Sequence, residues 1–472
     1  MMFAAAALAA VAIVAQDQSA LRAAPRDSAA QHAVLTQGDT LEIRGQRMDY
    51  LQVYDHRRER AGFVRASQVR LTTLAPEEAP ALLAVLRFLR DAPGSEALGI
   101  AYAAAYLKAA PADAITGEPF DALGGMAERL ARRASAAQGK TAEMAAAQME
   151  VAASYGVNFK GYEHEGAIRL CYDGEAFRRV LALATDAPQR ARAALALTRH
   201  DCVDPALSPI ERPLLDQWRA EVLDRIDNAQ FAQLPEQTKN RLRLRRAGVW
   251  SQIAFQQARK GSSPQAAAQR ALTELAAVNK TELSDSDQVD YTEAAMRVGA
   301  SRWAAVPAVP TTGALEIKTE PGAPGETCVL LTDARHANAQ PLARRCTYGT
   351  VWAASASASP NGRALALAVQ PLATWRELWV FRRQADGWSI DVVPPAASNP
   401  DLGYIEFSGW VPGNDKMLLA REARTERGDR RTLEVVSLAS LATEHQGSAA
   451  SPPLLFGKWQ DPAWKRQTVA LR

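Results

Sequence analysis

Net charge is one of the things that this sequence lacks. Its 55 lysines and arginines nearly balance 52 aspartates and glutamates, which leaves a formal charge of +3 over 472 residues. So small an excess produces no long-range field for attracting nucleic acid or an anionic membrane. Since 47% of the residues are hydrophobic and 23% are charged, the composition is typical of folded protein, and the length predicts two or three domains.

Long apolar segments are also missing, apart from one at the N-terminus. The run from Phe3 to Ala15 is uncharged and ends abruptly in polar residues. It is shorter than the roughly 20 residues of a membrane-spanning helix and has the length of a signal peptide. We therefore expect a signal peptide at 1–15, a periplasmic or secreted bacterial envelope protein, and no stable membrane span after cleavage near Ala15. The first residues lack the usual basic side chains, which leaves open an upstream start codon or a short membrane tether.

Cysteine is scarce, with four residues in the whole chain. Cys171 and Cys202 lie in the helical middle, whereas Cys328 and Cys346 lie in the β-rich C-terminal part. An even number of cysteines, paired by region in an exported chain, predicts the disulfides Cys171–Cys202 and Cys328–Cys346. Buried free thiols are the alternative. The Cys-x-x-Cys spacing is absent, which argues against redox catalysis and a structural zinc site.

Signatures of catalysis are missing as well. The chain has no Gly-x-Ser-x-Gly motif and no His-Glu-x-x-His among its six histidines, and paired cysteines would leave no thiolate. Ala134–Thr141 superficially resembles a phosphate-binding loop, but an alanine-rich helix rather than a strand precedes it. Carboxylate pairs such as Asp285 and Asp287 do not define an acid–base site by their spacing. We expect no enzymatic activity, no cofactor and no metal site.

Short alternating strands are present between about residues 31 and 74. Three segments follow one another in this region, namely Gly38-Asp-Thr-Leu-Glu-Ile43, Tyr50-Leu-Gln-Val53 and Gly62-Phe-Val-Arg-Ala-Ser-Gln-Val69. Their order and sequence pattern resemble those of the bacterial SH3-like domain, in which tryptophan is commoner than phenylalanine at the position of Phe63. The resemblance covers a small part of the chain and implies an SH3-like β-barrel at 16–76.

The same resemblance implies a function. It suggests recognition of cell-wall peptide or of a protein partner through an aromatic-lined groove, for which Tyr50, Tyr54 and Phe63 are the candidates. Strand alternation places some of these side chains in the barrel core instead, and that alternative stays open. The expected partner is accordingly an envelope protein or peptidoglycan.

Helical periodicity dominates 77–303, where apolar residues recur at three and four positions. Alanine-rich faces allow close helix packing, so we expect helical hairpins stacked in a solenoid-like array. Cys171 and Cys202 flank one such hairpin, and their bond would join its open ends. The basic stretch Lys239–Arg246 is read as a solvated helix face with ion-pair partners such as Glu236.

A proline-rich linker is expected at 304–312, followed by a β-rich domain at 313–472. Similar sequence elements recur in this region at similar intervals. They are the turn Ser359-Pro-Asn-Gly-Arg363, a degenerate copy of it at Pro412–Lys416, and strand-like segments at 456–459 and 468–472. The pattern resembles the blades of TolB/WD40-like β-propellers, with the final strand closing the ring. Because about three blades are too few for a propeller, an open sheet packed on the helices is the alternative. The disulfide Cys328–Cys346 is expected to join neighbouring strands.

These expectations combine into a multidomain α+β protein made of three modules that mostly bind. The leading hypothesis is a non-catalytic interaction or scaffold protein of the periplasm or cell surface. A hydrolase acting on the cell wall, or its accessory subunit, is the competing hypothesis, because SH3-like modules often accompany such enzymes and the helical region could hide an active site. A structural envelope protein without a defined ligand is the third, and the sequence leaves the oligomeric state open.

Overall fold

The computed structural model describes residues 11–164, 167–307, 314–397, 401–413, 415–426 and 428–471. The chain forms two compact units. The first comprises Met1–Leu207 with Arg225–Gln233, and the second comprises Ser208–Asp224 with Leu234–Arg472. The helices expected at 77–303 are therefore shared between the two units. None of the described helices combines the length and the apolar character needed to cross a membrane.

An antiparallel sheet of seven strands occupies the N-terminal part of the first unit. Its strands are β1 (Val11–Val14), β2 (Ser19–Arg22), β3 (Gln31–Leu35), β4 (Thr40–Arg47), β5 (Tyr50–Asp55), β6 (Arg60–Arg65) and β7 (Val69–Thr72). Their spatial order is β3-β2-β6-β5-β4-β1-β7. Alternate side chains, among them Leu41, Leu51, Val53 and Val64, turn inward and form one buried cluster. The alternation in the sequence is thus confirmed as strand structure.

The barrel expected at 16–76 is not found among the described residues. Strands β3 and β7 stand at the two ends of the strand order, and no ladder joins them. Closure of a barrel requires such a ladder between the first and last strands of the sheet. The N-terminal region is therefore an antiparallel sheet, and the barrel prediction is corrected.

Strand β1 consists of residues that were expected to belong to a signal peptide. Residues 1–10 lie outside the described part of the chain, but Val11–Val14 pairs with β4 on one side and with β7 on the other. Ala12 and Val14 are fully buried in the sheet core. Signal-peptide cleavage stays a prediction, and cleavage at Ala15 would remove a strand that is hydrogen-bonded along both edges.

Helices make up most of the middle of the chain, as expected. They are α1 (Ala79–Leu89), α2 (Glu96–Ala109), α3 (Glu118–Ala136), α4 (Lys140–Ser154), α5 (Glu175–Ala182), α6 (Ala187–Leu197), α7 (Glu211–Asp224), α8 (Asn228–Ala232), α9 (Glu236–Arg259), α10 (Gln265–Ala276) and α11 (Asp285–Ser301). Close packing of α2 on α3 depends on a small residue, because a Cβ added at Gly99 would collide with the sulfur of Met126. Solenoid-like stacking of these helices stays a prediction.

A β-hairpin interrupts the helices of the first unit. Strand β8 (Phe159–His164) pairs antiparallel with β9 (Ala167–Tyr172), and Phe159 lies opposite Tyr172. The expectation of an uninterrupted helical stretch is therefore wrong at this point. Ladder pairing and the packing of Phe159 and Tyr172 beside the cluster of α1 to α4 outweigh helix propensity here.

In the second unit, α9 packs between α7, α10 and α11. Leu244 and Ala247 of α9 share a buried cluster with Leu275 of α10 and Val298 of α11. Arg246 of α9 donates to the last turn of α7 at 2.8 Å. The basic stretch Lys239–Arg246 lies on α9, where Arg243 donates to Glu236 at 2.9 Å, so the expected ion pairing is confirmed. The expected solvated face is wrong at Arg246, which is 8% exposed because it packs against α7.

Two sheets follow the helices. The smaller sheet has the order β10-β11-β12, with strands β10 (Glu316–Pro321), β11 (Thr327–Thr332) and β12 (Ala343–Thr347). The larger sheet has eight strands: β13 (Thr350–Ala358), β14 (Ala364–Leu372), β15 (Trp375–Gln384), β16 (Gly387–Val393), β17 (Gly403–Trp410), β18 (Lys416–Thr425), β19 (Gly428–Ser437) and β20 (Thr443–Gly447). Its order is β13-β14-β15-β17-β18-β19-β20, with β16 paired to β15 and a short parallel contact between β15 and β17.

The C-terminal part of the described chain is an open mixed sheet rather than a propeller. The two hairpin meanders that resemble blades are joined into one sheet by the β15–β17 pairing, so they do not stand as separate blades around an axis. The turn at Ser359–Arg363 is confirmed, with Gly362 at φ 65° and the Ser359 hydroxyl accepting from the Ala364 amide at 2.9 Å. The linker predicted at 304–312 falls largely on residues 308–313, which lie outside the described residues.

The last segment of the chain is helical. Helices α12 (Leu454–Trp459) and α13 (Pro462–Leu471) stand where a closing strand was expected at 456–459 and 468–472, so that prediction is wrong. Phe456 and Trp464 are buried against Leu418 and Val435 of the sheet. A helix satisfies its backbone internally and can therefore cover a sheet face without needing a free sheet edge.

Both expected disulfides are present, and the described residues include no free cysteine. Cys171 is the penultimate residue of β9 and Cys202 follows α6, so the first bond joins the ends of the α5–α6 hairpin. Cys328 of β11 lies directly opposite Cys346 of β12, so the second bond joins neighbouring strands. Disulfides of this kind are consistent with an oxidising location outside the cytoplasm.

Candidate functional site

The three aromatic residues predicted to line a groove lie on one face of the N-terminal sheet. In β5 the side chain of Leu51 points into the core, so Tyr50 and Tyr54 point the opposite way. Phe63 of β6 is the cross-strand partner of Gln52 and lies on the same face. We call this the outer face, and it consists of Glu42 and Arg44 of β4, Tyr50, Gln52 and Tyr54 of β5, and Phe63 and Arg65 of β6.

Tyr50 is not available to a ligand. Its side chain is 2% exposed, and its hydroxyl donates to Asp27 at 2.5 Å. The Arg65 guanidinium lies 5.2 Å from the Tyr50 ring centroid and donates to Asp27 from Nε at 3.0 Å. Hydrogen bonds from Arg65 and from Tyr50 lower the pKa of Asp27 to about 2, and the bond to Asp27 raises the pKa of Tyr50. Tyr50 therefore has a structural role, in which it fixes the position of Asp27 beside the outer face.

Tyr54 is half-buried between two cationic or titratable side chains. The Arg44 guanidinium lies 4.1 Å from its ring centroid, and the His56 ring meets it edge-on at 4.9 Å. Glu42, the cross-strand neighbour of Tyr54, accepts from Arg44 at 3.2 Å and contacts His56 Nε2 at 2.6 Å. These two hydrogen bonds lower the pKa of Glu42. Tyr54 is thus partly exposed and lies among charged side chains that are fixed by their mutual hydrogen bonds.

Gln52 and Phe63 form the centre of the outer face. Both are partly exposed, and the next residue across the sheet from Gln52 is Gly45. A side chain at Gly45 would begin 3.5 Å from the Gln52 amide oxygen, so glycine leaves that amide uncovered on one side. A partly exposed aromatic ring next to an uncovered amide offers both stacking area and hydrogen-bonding groups to an extended ligand.

Four polar residues of the outer face, and Asp27 beside it, were not among the predicted site residues. Glu42 is the cross-strand partner of Tyr54 and lies on the same face. Gln52 and Arg65 could have been found from the pairing of β5 with β6, because cross-strand partners share a face. Arg44 lies within a register shift between Ile43 and Gly45, and this shift interrupts the alternation of β4. Asp27 comes from the loop between β2 and β3, and nothing in the local sequence indicates its contact with Tyr50.

The most buried group of charges lies in the second unit and is structural. Glu406 of β17 accepts from Arg302, from Arg376 at 2.6 Å and from the Trp464 indole at 2.8 Å. The Glu406 side chain is 2% exposed and Arg376 is fully buried. Burial raises the pKa of Glu406, but the charges of Arg302 and Arg376 outweigh burial and lower it. A carboxylate so enclosed cannot reach a solvent-borne substrate.

Segments considered for catalysis take structural positions. Ala134–Thr141 contains the end of α3 and the start of α4, as expected for an inter-helix turn. Asp287 lies at the start of α11, is 1% exposed, and accepts from Arg241 Nε at 2.6 Å. Trp375 and Trp379 of β15 lie in the core of the larger sheet and are each 3% exposed.

Within the described residues, one group of potential metal ligands comes together. The ligand atoms of Glu326, Cys328 and Cys346 lie within 4.8 Å of one another. Both sulfurs belong to the disulfide of the small sheet and therefore lack the thiolate that a metal requires.

Comparison with known proteins yields no relative on which to base a function. The chain matches no family model, no curated protein and no solved structure.

Proposed function

We propose that the protein is a non-catalytic interaction protein of the bacterial envelope that binds a polypeptide partner through the outer face of its N-terminal sheet. The observation that carries this proposal is the row formed by Tyr54, Gln52 and Phe63, which is partly exposed and bordered by Arg44 and Arg65. Tyrosine and arginine are enriched in protein interfaces and among the residues that contribute most to binding.

Pre-organisation supports the same function. Arg44 is stacked on Tyr54 and bonded to Glu42, while Arg65 is bonded to Asp27 and Asp49. Side chains that are already ordered lose less conformational entropy when a partner docks. The side chains of the outer face are therefore already ordered, and they stand on a sheet, which positions a binding site more precisely than a loop does.

Charges of both signs favour a polypeptide over a glycan as ligand. The outer face carries Arg44, Arg65 and Glu42, and Asp27 of the β2–β3 loop pairs with Arg65 beside it, so a partner that carries acidic and basic side chains would find complements for both. Peptidoglycan, whose peptide stems could use part of the same surface, is an outcome that the experiment distinguishes. An envelope location is supported by the two disulfides.

The test is crosslinking capture from envelope fractions with the full chain and three variants. Tyr54→Ala and Phe63→Ala are expected to reduce capture of a protein partner about tenfold or more, as loss of about 1.4 kcal/mol or more would produce. Phe88→Ala is the matched control, because Phe88 is 78% exposed on α1 and lies outside the outer face. Binding of purified peptidoglycan in a sedimentation assay is measured alongside.

Three results would contradict the proposal. Equal capture by Tyr54→Ala, Phe63→Ala and the wild type would show that the outer face is not the binding surface. Sedimentation with peptidoglycan in the absence of any captured protein would replace the polypeptide with a wall ligand. Release of soluble fragments from peptidoglycan by the purified protein would show that the protein is an enzyme.

A further inference from the structure

A pocket of about 220 Å³ opens on the larger sheet of the second unit. Its floor is formed by side chains of β18 and β19, and the segment after β16 forms one wall. The polar residues that line it are Arg421 and Thr425 of β18, Arg430 and Thr432 of β19, and Gln446 of β20. None of these side chains contributes to the outer face of the first unit, so the pocket is a separate feature.

Arg421 is held rigidly in the floor of this pocket. Its Nε and Nη2 donate to the two carboxylate oxygens of Glu434 at 3.0 and 3.2 Å. Its Nη1 donates to the backbone carbonyls of Pro394 and Pro395. Glu434 is 4% exposed and accepts in addition from the Thr432 hydroxyl at 2.8 Å. Since a guanidinium has five N–H donors, acceptors within the described residues account for four of them, and one N–H of Nη2 has no acceptor there.

Arg430 brings a second positive charge to the rim. It lies opposite Ala423 in the β18–β19 ladder and is exposed. No ion pair joins Arg430 to any carboxylate in the described part of the chain. Arg421 and Arg430 are the charged residues that line the pocket, and Glu434, which is bonded to Arg421, offsets one of their two positive charges. Gln446, also exposed, adds an amide that can donate from the third strand.

We propose that this pocket binds a compact oxyanion, a carboxylate or phosphate group on a small molecule, with Arg430 and Gln446 as the adjustable donors and Arg421 as the fixed one. Guanidinium groups form charge-assisted hydrogen bonds to both kinds of anion. Glu434 orients Arg421 and repels an anionic occupant only weakly, because its two oxygens are already bonded to that guanidinium. The volume suits a group of a few heavy atoms and excludes a polymer.

Titration calorimetry on the full chain at low ionic strength tests the proposal with two probes, inorganic phosphate and glutarate. Low salt matters because the site is partly exposed and its charges are screened. We expect one or both probes to bind, and Arg430→Gln to weaken that binding roughly tenfold, which is the usual effect of losing one charge-assisted contact. Arg383→Gln is the matched control, since Arg383 is exposed on β15 and does not line the pocket.

The outcomes separate the sources of the anion and can overturn the site. Binding of phosphate alone assigns a phosphate group, and binding of glutarate alone assigns a carboxylate. Gln446→Leu provides a second variant, and it should weaken whichever probe binds. If neither probe binds, or if Arg430→Gln and Arg383→Gln affect binding equally, the proposal is overturned. Thermal midpoints of all variants equal to the wild type would show that folding is not the cause.

Discussion

Replacing Glu406 with glutamine is expected to destabilise the second unit by about 3 to 5 kcal/mol. Glutamine preserves the shape of the side chain but removes its negative charge. Arg302 and Arg376 would then remain in the interior without their counter-charge, although their side chains are only 6% and 0% exposed. Leaving buried charge uncompensated is among the most costly single changes in a folded protein.

The pH dependence of stability provides an independent value for the same contribution. Burial raises the pKa of the Glu406 carboxyl, but the charges of Arg302 and Arg376 outweigh this effect and bring the pKa from its usual 4.5 to about 2. Because the folded pKa lies below the unfolded one, the stabilisation is complete above the unfolded pKa and is lost as the pH falls through the folded pKa. A difference of this size corresponds to about 3 kcal/mol.

The assay is urea unfolding of the full chain, followed by tryptophan fluorescence at pH 7 and at pH 3. Trp464 contacts Glu406 directly and makes the fluorescence sensitive to this region. The wild type should lose stability between the two pH values, and Glu406→Gln should lose less. As a control, Glu444→Gln removes an exposed pair with Lys416 and should cost less than about 1 kcal/mol. A loss below 1 kcal/mol for Glu406→Gln, with unchanged pH dependence, would refute the reasoning.

Three further perturbations follow from the fold. Deleting residues 1–15 removes β1 and should prevent stable folding of the first unit, whereas deleting only the first ten should not; equal thermal midpoints for both would contradict the role of β1. Gly99→Ala places a methyl group against a buried methionine and should cost about 1 to 3 kcal/mol, while Gly125→Ala meets open space and should be neutral or mildly stabilising in urea unfolding. Replacing Cys171 and Cys202 together by alanine opens a loop with a sequence separation of 31 and should cost roughly 3 to 4 kcal/mol relative to the oxidised wild type in urea unfolding. Under reducing conditions, which open both disulfides, the difference between variant and wild type should disappear if the bond alone is responsible.

Local sequence patterns predicted much of the secondary structure because local geometry produces those patterns. The alternation in Tyr50–Val53 became β5, and the turn residues of Ser359–Arg363 became the β13–β14 turn. Helical periodicity likewise located the middle region. For the candidate site, period-two alternation placed Tyr50, Tyr54 and Phe63 on strands, and the register of β5 with β6 then brought them to one face.

Burial of individual site residues could not be predicted in the same way. Tyr50 and Tyr54 lie on the same face of β5, yet Tyr50 is only 2% exposed because Asp27 and Arg65 cover it. Those two residues are distant from each other in sequence. Sequence spacing sets which side of a strand a residue occupies, but not what lies above it.

By itself the sequence determined most strands between residues 31 and 74, the helical character of the middle region and the regional pairing of the cysteines, since each follows from neighbouring residues or from simple counting. Tertiary structure decided the rest. Val11–Val14 is apolar enough for a leader peptide and for a central strand, and only pairing with β4 and β7 distinguishes the two. Phe456–Trp459 has a sequence pattern typical of a strand but folds as a helix on the sheet. Arg302 and Glu406 are 104 residues apart, and no local pattern predicts that such charges will share one buried site.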